Sequence, residues 1–134
     1  MGSALLRQLR ARGRPAVALT RGAPRDANER HWDAADPDPV LFEGAEAVVH
    51  LAGATIARRW TAATRREIRD SRVGSTRRLV AALARSRRPP RVLVAMSAVG
   101  LYGDRGDELL EESSLPGAGF LAALVRDWEA AAAE

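Results

Sequence analysis

The sequence predicts an α/β fold built on a doubly wound, parallel β-sheet. Helical and extended patterns alternate along the 134 residues, and most of the links between them are short. The apolar run VLVAM at 92–96 has no polar alternation. Alternating strands and helices form βαβ units, and an unbroken apolar strand is typical of a parallel sheet covered by helices on both faces. The length and the 46% hydrophobic content suit one domain with one core.

The first part of the chain is predicted to contain one helix and two strands. Residues 3–12 place three leucines on one helical face, and Gly13 follows as a stop signal. Residues 16–20 have the pattern of a short buried strand, and AEAVVHL at 45–51 predicts a second strand. The segment 21–39 between them is rich in Asp, Asn and Pro, which predicts a polar loop.

The second part is predicted to contain two helices, a strand and a final helix. The helices cover 61–70 and 74–87, and two prolines end the second one. The third strand begins at Arg91. A polar loop at 103–119 and a helix from Phe120 onward complete the alternation. This order favours parallel strand pairing.

The segment RVLVAMSAVGLYG at 91–103 predicts a strand that carries polar groups at its end. Ligands of parallel sheets bind beyond the carboxyl ends of the strands. Ser97 and Tyr102 follow the apolar run and are therefore the candidate catalytic residues. A simple β-turn after a core strand is the alternative interpretation.

The charge and composition disfavour several classes of function. The net charge of +4 comes from arginine alone, because the chain has no lysine. The arginines are spread over the predicted helices with acidic residues between them, which favours solvated helix faces over a nucleic-acid groove. We expect no nucleic-acid partner. With no cysteine and two histidines, we also expect no disulfide and no metal site.

The sequence contains no feature of a membrane or secreted protein. No apolar run approaches the roughly 20 residues that span a bilayer. The N-terminal residues 2–12 form an amphipathic helical pattern and not a signal peptide. We therefore expect no membrane partner and a cytoplasmic location.

Two short segments indicate close approach of the backbone to a dinucleotide. Gly2 and Ser3 lead directly into the first helix, as though Gly2 were the last glycine of a turn that holds a pyrophosphate. A helix N-cap at either residue is the alternative. The second strand ends at Leu51 and is closed by Ala52 and Gly53, whose small size permits the same approach.

Arg21 indicates which dinucleotide is bound. It ends the strand at 16–20, where dinucleotide folds distinguish cofactors by contact with the ribose. A guanidinium at that place can pair with a 2′-phosphate, so the sequence favours NADP over NAD. An exposed loop arginine without this role is the alternative.

Four segments resemble a known family. VVHLAGATIARRW, DSRVGSTRRLVAAL, SAVGLYGDRGDELLEES and FLAALVRDWEAAA are similar to the atypical extended short-chain dehydrogenase/reductases called epimerase family proteins, which are NAD-dependent epimerase/dehydratase-like. The resemblance implies a Rossmann-like NAD(P)-binding domain over residues 1–134. In that family a strand with a glycine-rich turn comes first and a C-terminal substrate region follows. We therefore expect an incomplete sheet, with the first βα turn and the C-terminal part absent.

The resemblance also implies a catalytic set of Asn, Ser or Thr, Tyr and Lys, in which the lysine lowers the pKa of the proton-transferring tyrosine. This chain departs from that set, because it has no lysine and its only tyrosine is Tyr102. Ser97 is therefore expected mainly in the wall of the cofactor pocket. With Tyr102 and Gly103 setting the register, the family's hydroxyl position falls on Ala98, next to Ser97. The asparagine of the family's helix motif corresponds to Arg72. With Glu129 as the acidic residue after the pair, the tyrosine and lysine positions fall on Leu121 and Val125.

Two hypotheses for the function follow. The first is the cofactor-binding portion of an epimerase or reductase that uses NADP, inactive as this portion alone and acting on an unidentified small molecule. The alternative is a non-enzymatic binding or regulatory protein on the same fold, suggested by the absent tyrosine–lysine pair. Without the first strand, sheet edges and apolar surface would be uncovered, so we also expect self-association.

Overall fold

The computed structural model describes residues 1–134 and has an α/β fold. None of its helices has the length and hydropathy of a membrane span. The regular elements, in chain order, are α1 (Gly2–Ala11), β1 (Ala18–Thr20), β2 (Glu29–His31), β3 (Ala47–His50), α2 (Ala62–Arg69), α3 (Ser75–Arg85), β4 (Val92–Ala95) and α4 (Gly119–Ala132).

The four strands form two parallel pairs. β1 pairs with β2, and β3 pairs with β4 in a register that sets His50 opposite Ala95. The parallel strand direction predicted from the βαβ order is confirmed. The sheet is nevertheless divided in two, because β1 and β3 are not hydrogen-bonded neighbours.

β2 corrects the prediction of a continuous polar loop over 21–39. The strand consists of Glu29, Arg30 and His31, so it carries none of the apolar pattern by which strands are recognised in a sequence. It forms through backbone pairing with β1, and the Trp32 N–H continues the pairing by donating to the Thr20 carbonyl at 2.7 Å.

α2 and α3 form one uninterrupted helical run, although the sequence predicts two separate helices. The residues between them, 70–74, form a π-helical turn. Gly74 adopts ordinary right-handed helical angles, φ −61° and ψ −49°, and so does not break the helix. At the other end of the run, the Thr61 hydroxyl caps α2 by accepting the Thr64 N–H at 3.2 Å.

Two apolar clusters make the core, and α3 and α4 supply most of their side chains. Val48 of β3 and Leu93 of β4 pack against the first cluster from one face of their sheet. Met96, just beyond β4, packs against the second. The first cluster contains Trp32, Phe42, Leu79, Ala82 and Leu83, and the second contains Ile68, Val73, Leu124, Trp128 and Ala131.

The opposite face of the β3–β4 pair is exposed. Val49, Val92 and Val94 retain 41%, 50% and 49% of their accessible surface. The apolar run of β4 predicts cover on both faces, and this prediction is wrong for these residues. The reason is the placement of the helices: α3 and α4 pack together on the buried side, and α1 has no buried residue.

Candidate functional site

A cavity of about 590 Å³ lies at the carboxyl ends of β3 and β4. Because the two strands are parallel, the segments that follow them, 51–56 and 96–100, meet at one edge of the sheet and form two sides of the cavity. Met1 and Arg72 also line it. The remaining wall comes from α4, through Leu121, Leu124, Val125 and Trp128.

The cavity brings together four of the residues that the sequence singles out for a ligand site. Leu51, Ala52 and Gly53 line it from the β3 side, and Ser97 lines it from the β4 side. Tyr102 follows a 3₁₀ turn after β4, is half-buried and is not in the lining. In the structure, Ser97 therefore shares the cavity lining with residues 51–53, whereas the Tyr102 side chain is not part of the lining.

The start of α1 lies beside the cavity. A Cβ at residue 2 would come within 3.7 Å of Leu51 Cδ1, so Gly2 is next to the lining. The helix N-cap is Met1, and no side chain caps it, which corrects the expectation of a cap at Gly2 or Ser3. Ser3 is exposed and outside the lining.

Arg21 lies apart from the cavity. It directly follows β1, is exposed and belongs to the β1–β2 pair rather than to the β3–β4 pair. The cavity lining does not include it. The structure thus places the candidate 2′-phosphate contact and the candidate pocket wall on two different strand pairs.

Hydrogen bonds fix the segment after β3 to the π-helical turn. The Ala54 N–H donates to Ser71 Oγ at 3.0 Å, and the Ala54 carbonyl accepts from Arg72 Nη1 at 3.0 Å. The Ser71 hydroxyl itself donates to the Ile68 carbonyl at 3.0 Å. One wall of the cavity is therefore held in place by both backbone groups of a single residue.

Arg72 lines the cavity, and the sequence points to it only through the family resemblance, as the residue at the asparagine position. Its guanidinium lies against Gly53, where a Cβ would be 3.1 Å from Cζ, closer than ordinary van der Waals contact. On another side, Cζ is 5.4 Å from the centroid of the Trp128 ring. Burial lowers the pKa of the guanidinium, which nevertheless stays protonated at neutral pH. The small residue at Gly53 is the one local feature of the sequence that is consistent with the guanidinium lying so close to the backbone there.

A hydroxyl–carboxylate contact joins the end of β4 to α4. The Ser97 hydroxyl donates a short hydrogen bond to Glu129 Oε1, and both residues are exposed. On the buried side of the same helix, Trp128 Nε1–H donates to Thr76 Oγ1 at 3.0 Å. These two bonds orient α4 against β4 and α3.

The cavity is mainly apolar. Twelve of its 17 lining residues are hydrophobic, and Arg72 is the only charged side chain among them. Leu121 and Val125 are one helical turn apart on α4, and both face the cavity together with Ala98. None of these three side chains can donate or accept a proton.

A second depression, of about 670 Å³, is a weaker candidate. It is more open than the first and lies at the segments that precede β3 and β4, hence at their amino ends. Ligands of parallel sheets bind at the opposite ends. Its lining consists of Val40, Glu43, Arg87 and Arg88.

Comparison with known proteins identifies relatives over nearly the whole chain. The sequence profile of the NAD dependent epimerase/dehydratase family matches residues 1–119. An epimerase family protein of Mycobacterium bovis is 40% identical over 134 residues, which is 98% of this chain and 44% of the relative. The chain therefore spans less than half the length of this relative.

Solved structures share the fold. The human epimerase family protein SDR39U1 (isoform 2), crystallised with NADPH, is 29% identical with a TM-score of 0.83. MoeE5, in complex with UDP-glucose and NAD, is 26% identical with a TM-score of 0.80. Each match covers 98% of this chain and 44% of the solved chain. The Rossmann-like fold expected from the resemblance is thereby confirmed.

Proposed function

Because the chain belongs to the NAD dependent epimerase/dehydratase family, we propose that residues 1–134 bind a nicotinamide dinucleotide as part of an epimerase- or reductase-like protein. The cavity at the ends of β3 and β4 carries this proposal. Its volume of about 590 Å³ lies in the usual range of small-molecule sites. The small residues Ala52 and Gly53 permit close approach of a ligand to the backbone.

The relatives support a nicotinamide cofactor without choosing between its two forms. The human relative was solved with NADPH and MoeE5 with NAD. For this chain we propose NADP, because Arg21 presents an exposed guanidinium directly after β1. A guanidinium forms charge-assisted hydrogen bonds to a phosphate, whereas a free 2′-hydroxyl favours an acidic residue.

The chemistry proposed for these residues is binding and orientation. When bound, a nicotinamide ring supplies or accepts a hydride. The apolar side chains of Leu121 and Val125 would exclude water from the cavity, and the backbone of 51–53 would position the cofactor. The Ser97 hydroxyl donates its hydrogen bond to Glu129, and its oxygen can still accept a hydrogen bond from a ligand donor.

A second candidate function is non-enzymatic binding or regulation. The apolar character of the cavity favours it, because leucine and valine stand where the resemblance implies tyrosine and lysine. A protein of this kind would bind the dinucleotide without turnover. Measurable NADPH oxidation with a carbonyl substrate, or conversion of a nucleotide sugar, would exclude this alternative.

The proposal is tested by cofactor binding to the complete protein that contains these 134 residues. Dissociation constants for NADPH and NADH are measured by calorimetry for the wild type and for Arg21→Ala. We expect Arg21→Ala to weaken NADPH binding by about 1.5–3 kcal/mol, the usual contribution of a hydrogen bond to a charged group, and to leave NADH binding unchanged.

Arg66→Ala is the matched control for this experiment. Arg66 is an exposed arginine on α2 outside the cavity lining, so its removal changes the net charge equally. We expect its NADPH affinity to match that of the wild type. Absence of binding by either nucleotide overturns the proposed function, and an unchanged preference in Arg21→Ala removes the role of Arg21 alone.

A further inference from the structure

Arg72 differs from the ion-paired arginines of the chain. All eight ion pairs join other arginines to carboxylates, and none includes Arg72. Arg72 instead lines the cavity as its only charged side chain. A partly buried cation in an apolar wall, without a carboxylate beside it, is costly unless other groups compensate it.

Hydrogen bonds within the protein satisfy only one of the three nitrogens of this guanidinium. Nη1 donates to the carbonyls of Ala54 and Ile68, at 3.0 and 3.4 Å, and contacts Ser71 Oγ at 3.5 Å. Nε and Nη2 donate no hydrogen bond within the chain. Together Nε and Nη2 form one edge of the guanidinium, with two parallel N–H donors suited to the two oxygens of a carboxylate or a phosphate.

The surroundings hold the guanidinium in one orientation. A Cβ at residue 53 would lie 3.1 Å from Cζ and 3.2 Å from Nη2, so Gly53 is close to the group on one side, and the Trp128 ring centroid lies 5.4 Å from Cζ. The bonds from Nη1 fix the rotation of the group in its plane. A guanidinium positioned in advance loses little conformational entropy when it binds an anion.

We propose that Arg72 is an oxyanion-binding residue of the cavity, and that the Nε–Nη2 edge binds a carboxylate or phosphate group of the ligand. The inference rests on the proposed function in taking this cavity as the ligand site. The oxyanion has two chemical sources: the phosphates of the dinucleotide, or an acidic group of a second substrate. Either one supplies the negative charge that the apolar wall lacks.

The test follows the binding of two simple probes, malonate and inorganic phosphate, by NMR in the complete protein. The reporters are the Nε–H signal of Arg72 and the indole Nε1–H signal of Trp128, which is present in every Arg72 variant. NaCl of equal ionic strength is the baseline. We expect a saturable shift of both signals with at least one probe.

Arg72→Met and Arg66→Met make a matched pair, since both remove one positive charge from the same helical run. We expect Arg72→Met to weaken probe binding, measured at Trp128, by at least about tenfold, the lower range for a charge-assisted hydrogen bond. Arg66→Met should bind like the wild type. Arg72→Lys keeps the charge without the planar edge and should fall between them, which provides a second variant if Arg72→Met does not fold.

Two results overturn the proposal: signals that move no further than in NaCl, or probe affinity in Arg72→Met equal to that of the wild type. Repeating the titration with NADPH distinguishes the two sources. Competition between probe and NADPH assigns Arg72 to a dinucleotide phosphate, and simultaneous binding assigns it to a second substrate. If NADPH does not bind at all, the proposed function fails, while the probe titration alone still decides the role of Arg72.

Discussion

Both faces of the β3–β4 pair consist mainly of aliphatic side chains, but the environments of the two faces differ. On one face, Val48 and Leu93 pack against the cluster around Leu79 of α3. On the other face, Val49 and Val94 stand opposite each other in the register and are 41% and 49% exposed. Successive side chains of a strand point to opposite sides, so neighbouring residues of one run belong to these two environments.

This difference teaches that apolar composition marks a capacity for burial and not burial itself. The hydrophobic effect stabilises a side chain only in proportion to the area that another element removes from water. α3 supplies that element on one face of the pair, whereas the valines of the other face stay 41–50% exposed. The comparison can be tested by substitutions on each face.

The largest effect is expected from truncation in the α3 cluster that the covered face packs against. Leu79 is 1% exposed, and Leu79→Ala should lower the free energy of unfolding by about 2–5 kcal/mol, through lost burial and the cavity left behind. Val94→Ala, on the exposed face, should lower it by about 0.5 kcal/mol or less. Urea unfolding followed by circular dichroism measures both values. Equal losses would contradict the distinction between the faces.

A smaller effect is expected from pH, through His50 at the covered end of β3. The residue is 5% exposed, with Nε2 3.5 Å from Ser75 Oγ. Burial lowers the pKa of His50 below its ordinary value of 6.5. The unfolded chain therefore takes up this proton at a higher pH than the folded chain. The contribution of neutral His50 to the free energy of unfolding is therefore fully present above about pH 6.5. It is lost as the pH falls through and below that value.

Urea unfolding between about pH 5 and 8 measures this effect, whose slope cannot exceed about 1.4 kcal/mol per pH unit for one proton. His50→Asn should remove the slope near neutral pH. His31→Asn is the control, because His31 is exposed on β2, and it should keep the slope. A wild-type free energy of unfolding that is independent of pH over this interval would show that burial does not lower the pKa of His50.

A charge on the exposed face is expected to change association much more than folding stability. We expect the 134-residue chain to self-associate through that face, a second copy covering the valines, because exposed apolar sheet surface and free strand edges favour association. Val94→Glu should shift the chain toward monomer in sedimentation velocity. Its unfolding free energy should change by less than about 1 kcal/mol.

Val40→Glu is the matched control for association, since Val40 is 66% exposed in a 3₁₀ segment outside the exposed valine face. It should associate like the wild type. A wild-type chain that sediments as a single monomer and melts cooperatively would contradict self-association and would show that the exposed valines are tolerated in water.

Much of the fold can be predicted from the sequence, because its signals are local. The predicted strand at 45–51 contains β3, and the predicted start of the last helix at Phe120 is one residue from the observed Gly119. β2 could not be predicted, because its three polar residues carry no hydrophobic period. The π-helical turn at 70–74 was likewise not predicted, because it joins segments that each look like an ordinary helix.

Some residues of the candidate site could likewise be predicted from the sequence, and others could not. Residues 51–53 and Ser97 were predictable as strand ends, since every parallel strand presents its carboxyl end to one edge. The resemblance places Arg72 at the family's asparagine position, but the contacts of its side chain could not be predicted. Its side chain bonds to Ala54, 18 residues away, and lies near Trp128, much farther along the chain. No pattern within one segment carries that information.

The sequence by itself determined the positions of most helices and strands, the parallel direction of the strands and the family, because periodicity, turn residues and motifs act over short distances. Only the tertiary structure decided which face of β3–β4 is covered and which groups the Arg72 guanidinium contacts in the cavity. Burial and site geometry depend on elements that are distant in the chain, so they are settled by packing.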